Sequence, residues 1–272
     1  MVERDVRWEV VMDDTWTALG LRSGACVAFI GAGGKTMSIL ALTNEATARG
    51  LSVVVTTTTK IWPPEGMTLV LQVDEPEFAD RVAFELNSKP CVAVGSRIAP
   101  GGKLVGLKPD EVCVLKNGAV ADVVLCEADG AAGRSLKVHG PGEPVVPPCA
   151  TAVAVVGGLD AIGELPGPGV IHRYDRFLDD GEADATASID ASTFAHILLR
   201  AAGKIARHVP IVFVLNKADD VNSRRDAGRV AEALVAEMPR AAVVVTSHLG
   251  FLQRQAAVTH ATGGERDAHV IS

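Results

Sequence analysis

The stretch 25–40, ACVAFIGAGGKTMSIL, decides the fold class of this chain. Its first part, 25–30, is a continuous apolar run, which is typical of a strand buried on both faces of a parallel sheet. The segment 31–36, GAGGKT, follows directly and opens a helical pattern over 35–49. This order is typical of a phosphate-binding loop, because glycines let backbone N–H groups turn inward and the helix N-terminus adds partial positive charge.

The loop residues predict how a nucleotide binds. Lys35 is expected to contact the terminal phosphates and the Thr36 hydroxyl to ligate Mg²⁺. The loop has the short form G-x-x-G-K-T, since the longer pattern needs glycine where this chain has Phe29; amide-forming peptide ligases of the Mur type share the short form. A dinucleotide-binding fingerprint fits less well, because Thr36 stands where its third glycine belongs. The predicted phosphate-binding residues are Gly31, Ala32, Gly33, Gly34, Lys35 and Thr36.

Further short apolar runs alternate with helical patterns along the chain. This alternation predicts an α/β fold, a P-loop NTPase-like three-layer sandwich with a mostly parallel sheet and helices on both faces. We expect one domain over 1–272, with long Gly/Pro-rich loops at 130–148 and 157–190. The predicted strands are 25–30, 52–56, 91–94, 122–126, 151–156, 210–215 and 241–246. The predicted helices are 35–49, 76–87, 109–116, 190–207 and 222–237, followed by a loosely packed tail from His248.

Composition excludes several classes of protein. The formal net charge is −7, which argues against a nucleic-acid-binding protein. Apolar residues make up 48% of the chain, yet none of their uninterrupted runs approaches the ~18 residues of a membrane helix, and the first residues lack the order of a signal peptide. The five cysteines are widely spaced without a C-x-x-C pattern, so we expect reduced thiols in a soluble, cytoplasmic protein without a membrane partner.

Two carboxylates follow the predicted strand 122–126. Glu127 and Asp129 lie two residues apart, so on an extended backbone their side chains share one face. A P-loop enzyme places its acidic Mg²⁺ partner at such a strand end. We expect both to serve catalysis and metal binding, one holding a metal-bound water and the other polarising the attacking group, with the division of roles open.

A further motif predicts which base is read. Asn216-Lys217-Ala218-Asp219 follows the strand 210–215, and in GTPases this N-K-x-D turn reads guanine through two hydrogen bonds to the aspartate. Adenine would leave a buried carboxylate without its hydrogen bonds, so such a site rejects adenine. The segment 246–248 stands where GTPases add a second base-contacting loop. We therefore expect Asn216, Lys217 and Asp219 to bind GTP, with ATP as the alternative if the motif is an ordinary turn.

Four stretches together resemble the YqeC family: 31–36, 56–64 (TTTTKIWPP), 127–147 (EADGAAGRSLKVHGPGEPVVP) and His172-Arg173. Members of that family are P-loop NTPases described as accessory proteins of selenium-dependent molybdenum hydroxylases. The resemblance implies a role in maturing a selenium- or molybdenum-containing cofactor, with a molybdenum hydroxylase or maturation factor as client. By analogy with other P-loop maturation factors, we also expect a homodimer.

Cationic and hydroxyl side chains beside these motifs are further candidates. Arg134, Lys137 and His139 are expected to neutralise a second anionic ligand, and Arg134 to act in catalysis. The threonines of 56–59 could form a hydroxyl-rich ligand loop, with Lys60 as a second cation for phosphates, or could simply suit the strand. Two more candidates are His172, which could transfer a proton, and Arg173, which could stabilise the charge of a transferred phosphoryl group. Cys126 is expected to be inert packing rather than a selenium ligand.

Three functions fit these observations. The first is an NTPase, a GTPase in preference to an ATPase, whose hydrolysis gates cofactor insertion or protein handover. The second is an ATP-dependent kinase- or ligase-like enzyme that acts on a small anionic substrate, which the short loop and the basic residues after Arg134 favour. The third is a nucleotide-sensing adaptor that binds without turnover.

Overall fold

The computed structural model describes residues 11–12, 15–74, 77–179, 186–206 and 208–248. Nearly all of the predicted tail and most of the N-terminal segment therefore lie outside the described residues. The helices are α1 (Thr15–Ala18), α2 (Lys35–Ala48), α3 (Phe78–Leu86), α4 (Pro109–Asn117), α5 (Tyr174–Asp179), α6 (Ala191–Ala202) and α7 (Val221–Glu237). The strands are β1 (Val11–Met12), β2 (Ala25–Gly31), β3 (Val53–Thr57), β4 (Lys60–Ile61), β5 (Thr68–Leu71), β6 (Cys91–Gly95), β7 (Arg97–Ile98), β8 (Leu104–Val105), β9 (Val123–Glu127), β10 (Leu136–Lys137), β11 (Ala152–Gly158), β12 (Ile171–His172), β13 (Ile211–Asn216) and β14 (Ala242–Val245).

The main sheet has nine strands in the order β1-β14-β13-β11-β2-β9-β3-β6-β5. Every neighbouring pair is parallel. All residues of β2, β9 and β11 are buried, which explains why these strands are continuously apolar in sequence. The predicted α/β fold with a parallel sheet is confirmed.

Helices cover both faces of this sheet, which makes the predicted three layers. One face packs against α2 and the residues in and after α1, around a core that includes Phe29 and Leu42. The opposite face packs against α6 and α7 over β11, β13 and β14, with Phe194 and Phe213 at its centre. On that same face, α3 and α4 cover β3, β6 and β9. Within the described part of the chain, none of the helices has the length and apolar composition needed to cross a bilayer.

Two small sheets lie outside the main one. β4, β8 and β7 form an antiparallel sheet just beyond the ends of β3 and β6. β10 and β12 form a parallel pair. This pair joins 130–148 to 157–190, which also contains α5, so neither segment is a plain loop as its Gly/Pro content suggests.

The structure differs from the sequence prediction at other points as well. The helix predicted over 190–207 ends at Ala202, and β5 was not predicted because it is a short edge strand with only one buried residue. The expectation of reduced thiols is wrong for two of the five cysteines. Cys113 on α4 and Cys149 before β11 are joined by a disulfide, with Cα atoms 5.5 Å apart, while Cys26, Cys91 and Cys126 are free. Because α4 packs beside the loop that enters β11, tertiary structure rather than sequence spacing forms this pair.

Candidate nucleotide-binding site

The loop 31–36 joins β2 to α2 at the carboxyl edge of the main sheet. Gly33 and Gly34 have φ angles of 81° and 128°, a region that side chains rarely adopt. A Cβ at Gly33 would collide with the backbone of Gly158, and one at Gly34 with the side chain of Asn216. The loop therefore needs glycine both for its conformation and for its close approach to β11 and β13.

Lys35 begins α2 and is only 4% exposed. Its Nζ donates to the carbonyl oxygen of Gly31 at 2.6 Å. The same ammonium lies 2.9 Å from a carboxylate oxygen of Asp129 and 3.9 Å from one of Glu127. A buried ammonium requires such partners, because removing its hydration without compensation is costly. The lysine is thus held at the floor of the loop, where a phosphate would approach.

Asp129 is enclosed by the protein. It is 1% exposed, and its Oδ2 accepts the Gly31 N–H at 2.8 Å and pairs with Nε2 of His139. Burial opposes ionisation, but the charge of Lys35 and the hydrogen bond from His139 outweigh it and lower the pKa of Asp129 well below its usual range. This carboxylate therefore positions the lysine and the end of β2.

Glu127 is placed differently. It lines the cleft above the loop, and its Oε2 accepts the Thr36 hydroxyl at 3.0 Å. Burial raises the pKa of Glu127, although the charge of Lys35 and the Thr36 hydrogen bond oppose this rise. Hence the two predicted carboxylates lie together, but Glu127 faces the ligand space while Asp129 supports Lys35 from behind.

Glu127 and Thr36 fit the ligand preference of Mg²⁺. Both present oxygen atoms, 3.0 Å apart, to the same cleft, and Mg²⁺ is commonly bound by one or two protein oxygens together with phosphate and water. Among the described residues, there is no group of three or more His, Cys, Asp or Glu side chains that could hold a metal ion by themselves. A Mg²⁺ ion at this position would therefore share its coordination with a bound nucleotide.

The N-K-x-D segment, 216–219, lies beside the loop 31–36. We call this loop the phosphate loop, because it is predicted to bind phosphate. Asn216 is 3% exposed, and its amide donates to the carbonyl oxygen of Gly33 at 2.8 Å. Its Oδ1 accepts the hydroxyl of Thr246 at 3.1 Å. Asn216 therefore links the phosphate loop to the segment that follows β14 rather than facing a base.

Lys217 and Asp219 extend from this link. Lys217 has a positive φ of 65° and lines the cleft, where its Nζ pairs with Asp160 at 2.6 Å. Asp219 is exposed, and its Oδ1 accepts the Ser247 hydroxyl at 2.6 Å. One oxygen of Asp219 is thereby fixed, and the two segments expected to contact a base are joined at its carboxylate.

The segment after Asp129 does not present its cations as expected. Arg134 lines the cleft, with its Nε donating to the carbonyl oxygen of Pro168 at 2.6 Å. Lys137 and His139 are 2% and 6% exposed, and both point inward onto Asp129. Burial lowers the pKa of Lys137, partly opposed by Asp129. The structure does not bring Lys137 and His139 to a second ligand as expected, because both contact the buried carboxylate of Asp129 instead.

His172 and Arg173 lie away from the phosphate loop. Both line a separate cavity of about 470 Å³, which Arg134 also borders. Arg173 has a positive φ of 64°, and its guanidinium donates to Glu143 at 2.8 Å. The structure therefore does not bring these two residues to the position of a transferred phosphoryl group.

The threonines of 56–59 form structural hydrogen bonds. Thr56 and Thr57 are buried, and their hydroxyls donate to backbone carbonyl oxygens of β6 and β9. The Thr58 hydroxyl likewise donates to the carbonyl oxygen of Val145. They stabilise the sheet edge, whereas Lys60 lines the cleft as expected.

The cleft itself has a volume of about 660 Å³, within the usual range for small-molecule sites. Among the described residues that line it, five are cationic and Glu127 carries the single carboxylate. The cations are Lys35, Lys60, Lys103, Arg134 and Lys217. Lys103 and the neighbouring Trp62 were not predicted, because the antiparallel sheet that brings them to the cleft pairs segments distant in sequence.

More than half of this chain is similar to known proteins. The family described as YqeC protein matches residues 27–175, more than half of the chain. The chain belongs to the YqeC family. It is also 31% identical over 153 residues to a protein of Escherichia coli (strain K12) named "Uncharacterized protein YqeC". That match covers 56% of this chain and 59% of the relative, and no solved structure matches the chain significantly.

Proposed function

We propose that this YqeC-family protein binds and hydrolyses GTP. The observation that carries the proposal is the hydrogen bond from Asn216 to the carbonyl oxygen of Gly33, which fixes the base-reading segment against the phosphate loop. A triphosphate over 31–36 would then lie in the cleft with Lys35 and Glu127, and the same cleft reaches Lys217, two residues before the Asp219 that would bind a guanine. The excess of cations in that cleft suits a polyanionic ligand.

Each residue of the cleft has a role in this proposal. Lys35 binds the terminal phosphates as a point charge, while Asp129 keeps it in position. Glu127 and Thr36 hold Mg²⁺, which neutralises phosphate charge when bound. Arg134 lines the same cleft, and its guanidinium would stabilise charge on the γ-phosphoryl oxygens as water replaces GDP on phosphorus.

We place this activity in the maturation of a selenium- or molybdenum-containing hydroxylase. The basis is what the resemblance to the YqeC family implies, together with a cleft suited to a nucleotide. A client protein or cofactor intermediate that accelerates GTP turnover would support a switch. A kinase- or ligase-like reaction on a small anion is the second candidate, because Lys60 and Lys103 line the cleft in addition to the residues expected to hold the nucleotide.

Phosphate release from GTP and from ATP, each with Mg²⁺, tests the proposal. We expect turnover of GTP in preference to ATP, and loss of that turnover in Thr36→Ala. Thr47→Ala is the matched control, since Thr47 lies on the same helix and its hydroxyl donates only locally, to the carbonyl oxygen of Asn44. Equal or faster turnover of ATP, or full activity of Thr36→Ala, would contradict the proposal.

A further inference from the structure

We infer that Lys60, Trp62 and Lys103 form a binding site for a second ligand, a planar ring compound that carries a phosphate. The inference rests on the proposed function for the position of the nucleotide. We call these three residues the ring site. They line the same cleft as the phosphate loop, on the small antiparallel sheet beyond β3 and β6.

Trp62 presents a largely exposed aromatic side chain at this end of the cleft. The side chain is 65% exposed, which is unusual for a residue with so much apolar area. Lys103 places its ammonium 5.6 Å from the centre of the Trp62 ring, and Lys60 lies two residues before Trp62. An aromatic surface with two cations is suited to stacking a flat ring and binding its anionic substituent.

The sheet order separates the ring site from the base-reading segment. Asp219 follows β13, the phosphate loop follows β2, and Lys60 and Trp62 follow β3. In the order β13-β11-β2-β9-β3, the outer two strands are four spacings apart, or about 19 Å. The ring site thus lies about two spacings, or ~10 Å, beyond the phosphate loop. A nucleotide with its base at Asp219 would leave the ring site open to another molecule.

The hairpin between β7 and β8 holds this surface in place. Gly101 and Gly102 turn the chain with φ angles of 91° and 84°. A Cβ on Gly102 would make ordinary contact, at 3.5 Å, with one atom of the Trp62 ring, so this turn lies beside the indole. β8 also pairs with β4, directly before Trp62. The hairpin therefore lies next to a ring that lines the cleft and is otherwise largely exposed.

Three probes test separately the contributions of the ring and of the phosphate of the proposed ligand. Flavin mononucleotide has a planar ring and a phosphate, riboflavin has only the ring, and ribose 5-phosphate has only the phosphate. Their binding is measured by calorimetry, with and without a saturating non-hydrolysable GTP analogue and Mg²⁺. We expect flavin mononucleotide to bind most tightly and to bind together with the GTP analogue.

Variants then assign the binding to the ring site. Trp62→Ala should weaken flavin mononucleotide by about tenfold, the usual effect of losing one stacking partner, and by at least fivefold more than it weakens GTP. Lys103→Ala should bring flavin mononucleotide close to the affinity of riboflavin. Phe84→Ala is the matched aromatic control, being equally exposed at 65% on α3, and Lys204→Ala is the control for an exposed lysine. Both controls should leave the affinity unchanged.

Several results would overturn the inference. They are binding of flavin mononucleotide that does not depend on Trp62, no binding of any probe, and competition between flavin mononucleotide and the GTP analogue. If Trp62→Ala weakened GTP as much as flavin mononucleotide, the base of the nucleotide rather than a second ligand would stack on Trp62. A change in sedimentation of Trp62→Ala would make it a protein interface. Trp62-dependent binding of flavin mononucleotide without any binding of GTP would support the ring site while refuting the proposed function.

Discussion

Replacing Asp219 by Asn removes the feature expected to recognise guanine while changing little else. The Ser247 hydroxyl donates to Oδ1 of Asp219, and an asparagine oxygen can accept the same bond. An asparagine oxygen can still accept one hydrogen bond from guanine, but its amide group meets the exocyclic amine as a second donor, so one hydrogen bond to a charged group, worth about 1.5–3 kcal/mol, is lost. Because Asp219 is exposed, the lower end applies and the loss is about 1.5–2 kcal/mol, or roughly a 10- to 30-fold loss of GTP affinity.

Xanthine should gain, in the same variant, the hydrogen bond that guanine loses. It carries a carbonyl oxygen where guanine has its exocyclic amine, so an asparagine amide can donate where the carboxylate could only accept. Asp219→Asn should therefore bind XTP more tightly than GTP, whereas the native protein prefers GTP. Calorimetric titration of both nucleotides with Mg²⁺ measures the two affinities, and thermal melting checks that the variant is folded. If GTP affinity stays within threefold and XTP gains nothing, Asp219 does not read the base.

Three further predictions concern the phosphate loop and its carboxylates. Glu127→Gln should reduce the Mg²⁺-dependent part of GTP binding at least about tenfold. In the native protein, the Mg²⁺-dependent part of GTP binding should grow as pH rises above 4.5, because the pKa of Glu127 is raised and only its ionised form binds metal. Asp129→Asn should lower the free energy of unfolding in urea by about 3–5 kcal/mol, against less than about 1 kcal/mol for Asp226→Asn in a surface pair. Because the pKa of Asp129 is lowered, its contribution is present above pH 3.8 and is lost as pH falls further, so the difference in urea stability should shrink in acid; a constant difference would contradict this reasoning. Gly33→Ala should destabilise by about 1–3 kcal/mol more than Gly50→Ala, which has nearly the same φ of 80° but open space around it; equal melting temperatures would show that the contact with β11 is unimportant.

The core of the fold could be predicted because local patterns match the tertiary structure. Each buried parallel strand is a continuous apolar run, and the loop 31–36 carries the glycines that its backbone requires. Strand order places the carboxyl ends of β2, β9 and β13 at one edge. The meeting of Lys35, Glu127 and Asn216 therefore follows from motifs that each stand after a strand.

Contacts between segments distant in sequence could not be predicted from such local patterns. A lysine and a histidine after a glycine-rich loop look like exposed cations, but Lys137 and His139 are buried because Asp129 needs partners inside the protein. The pairing of β4 with β8 brings Lys103 beside Trp62 across 41 residues of sequence. Nothing in the local sequence predicts that pairing, or the disulfide between Cys113 and Cys149.

The central claim is that the cleft between the phosphate loop and the base-reading segment holds a guanine nucleotide. Calorimetric titration of GTP, GDP, ATP and ADP, each with Mg²⁺, tests it most directly. We predict micromolar binding of GTP and GDP, with adenine nucleotides at least about 30-fold weaker. Equal or tighter binding of ATP would make Asn216-Lys217-Ala218-Asp219 an ordinary turn, and no binding of any of the four would contradict the assignment of the phosphate loop itself.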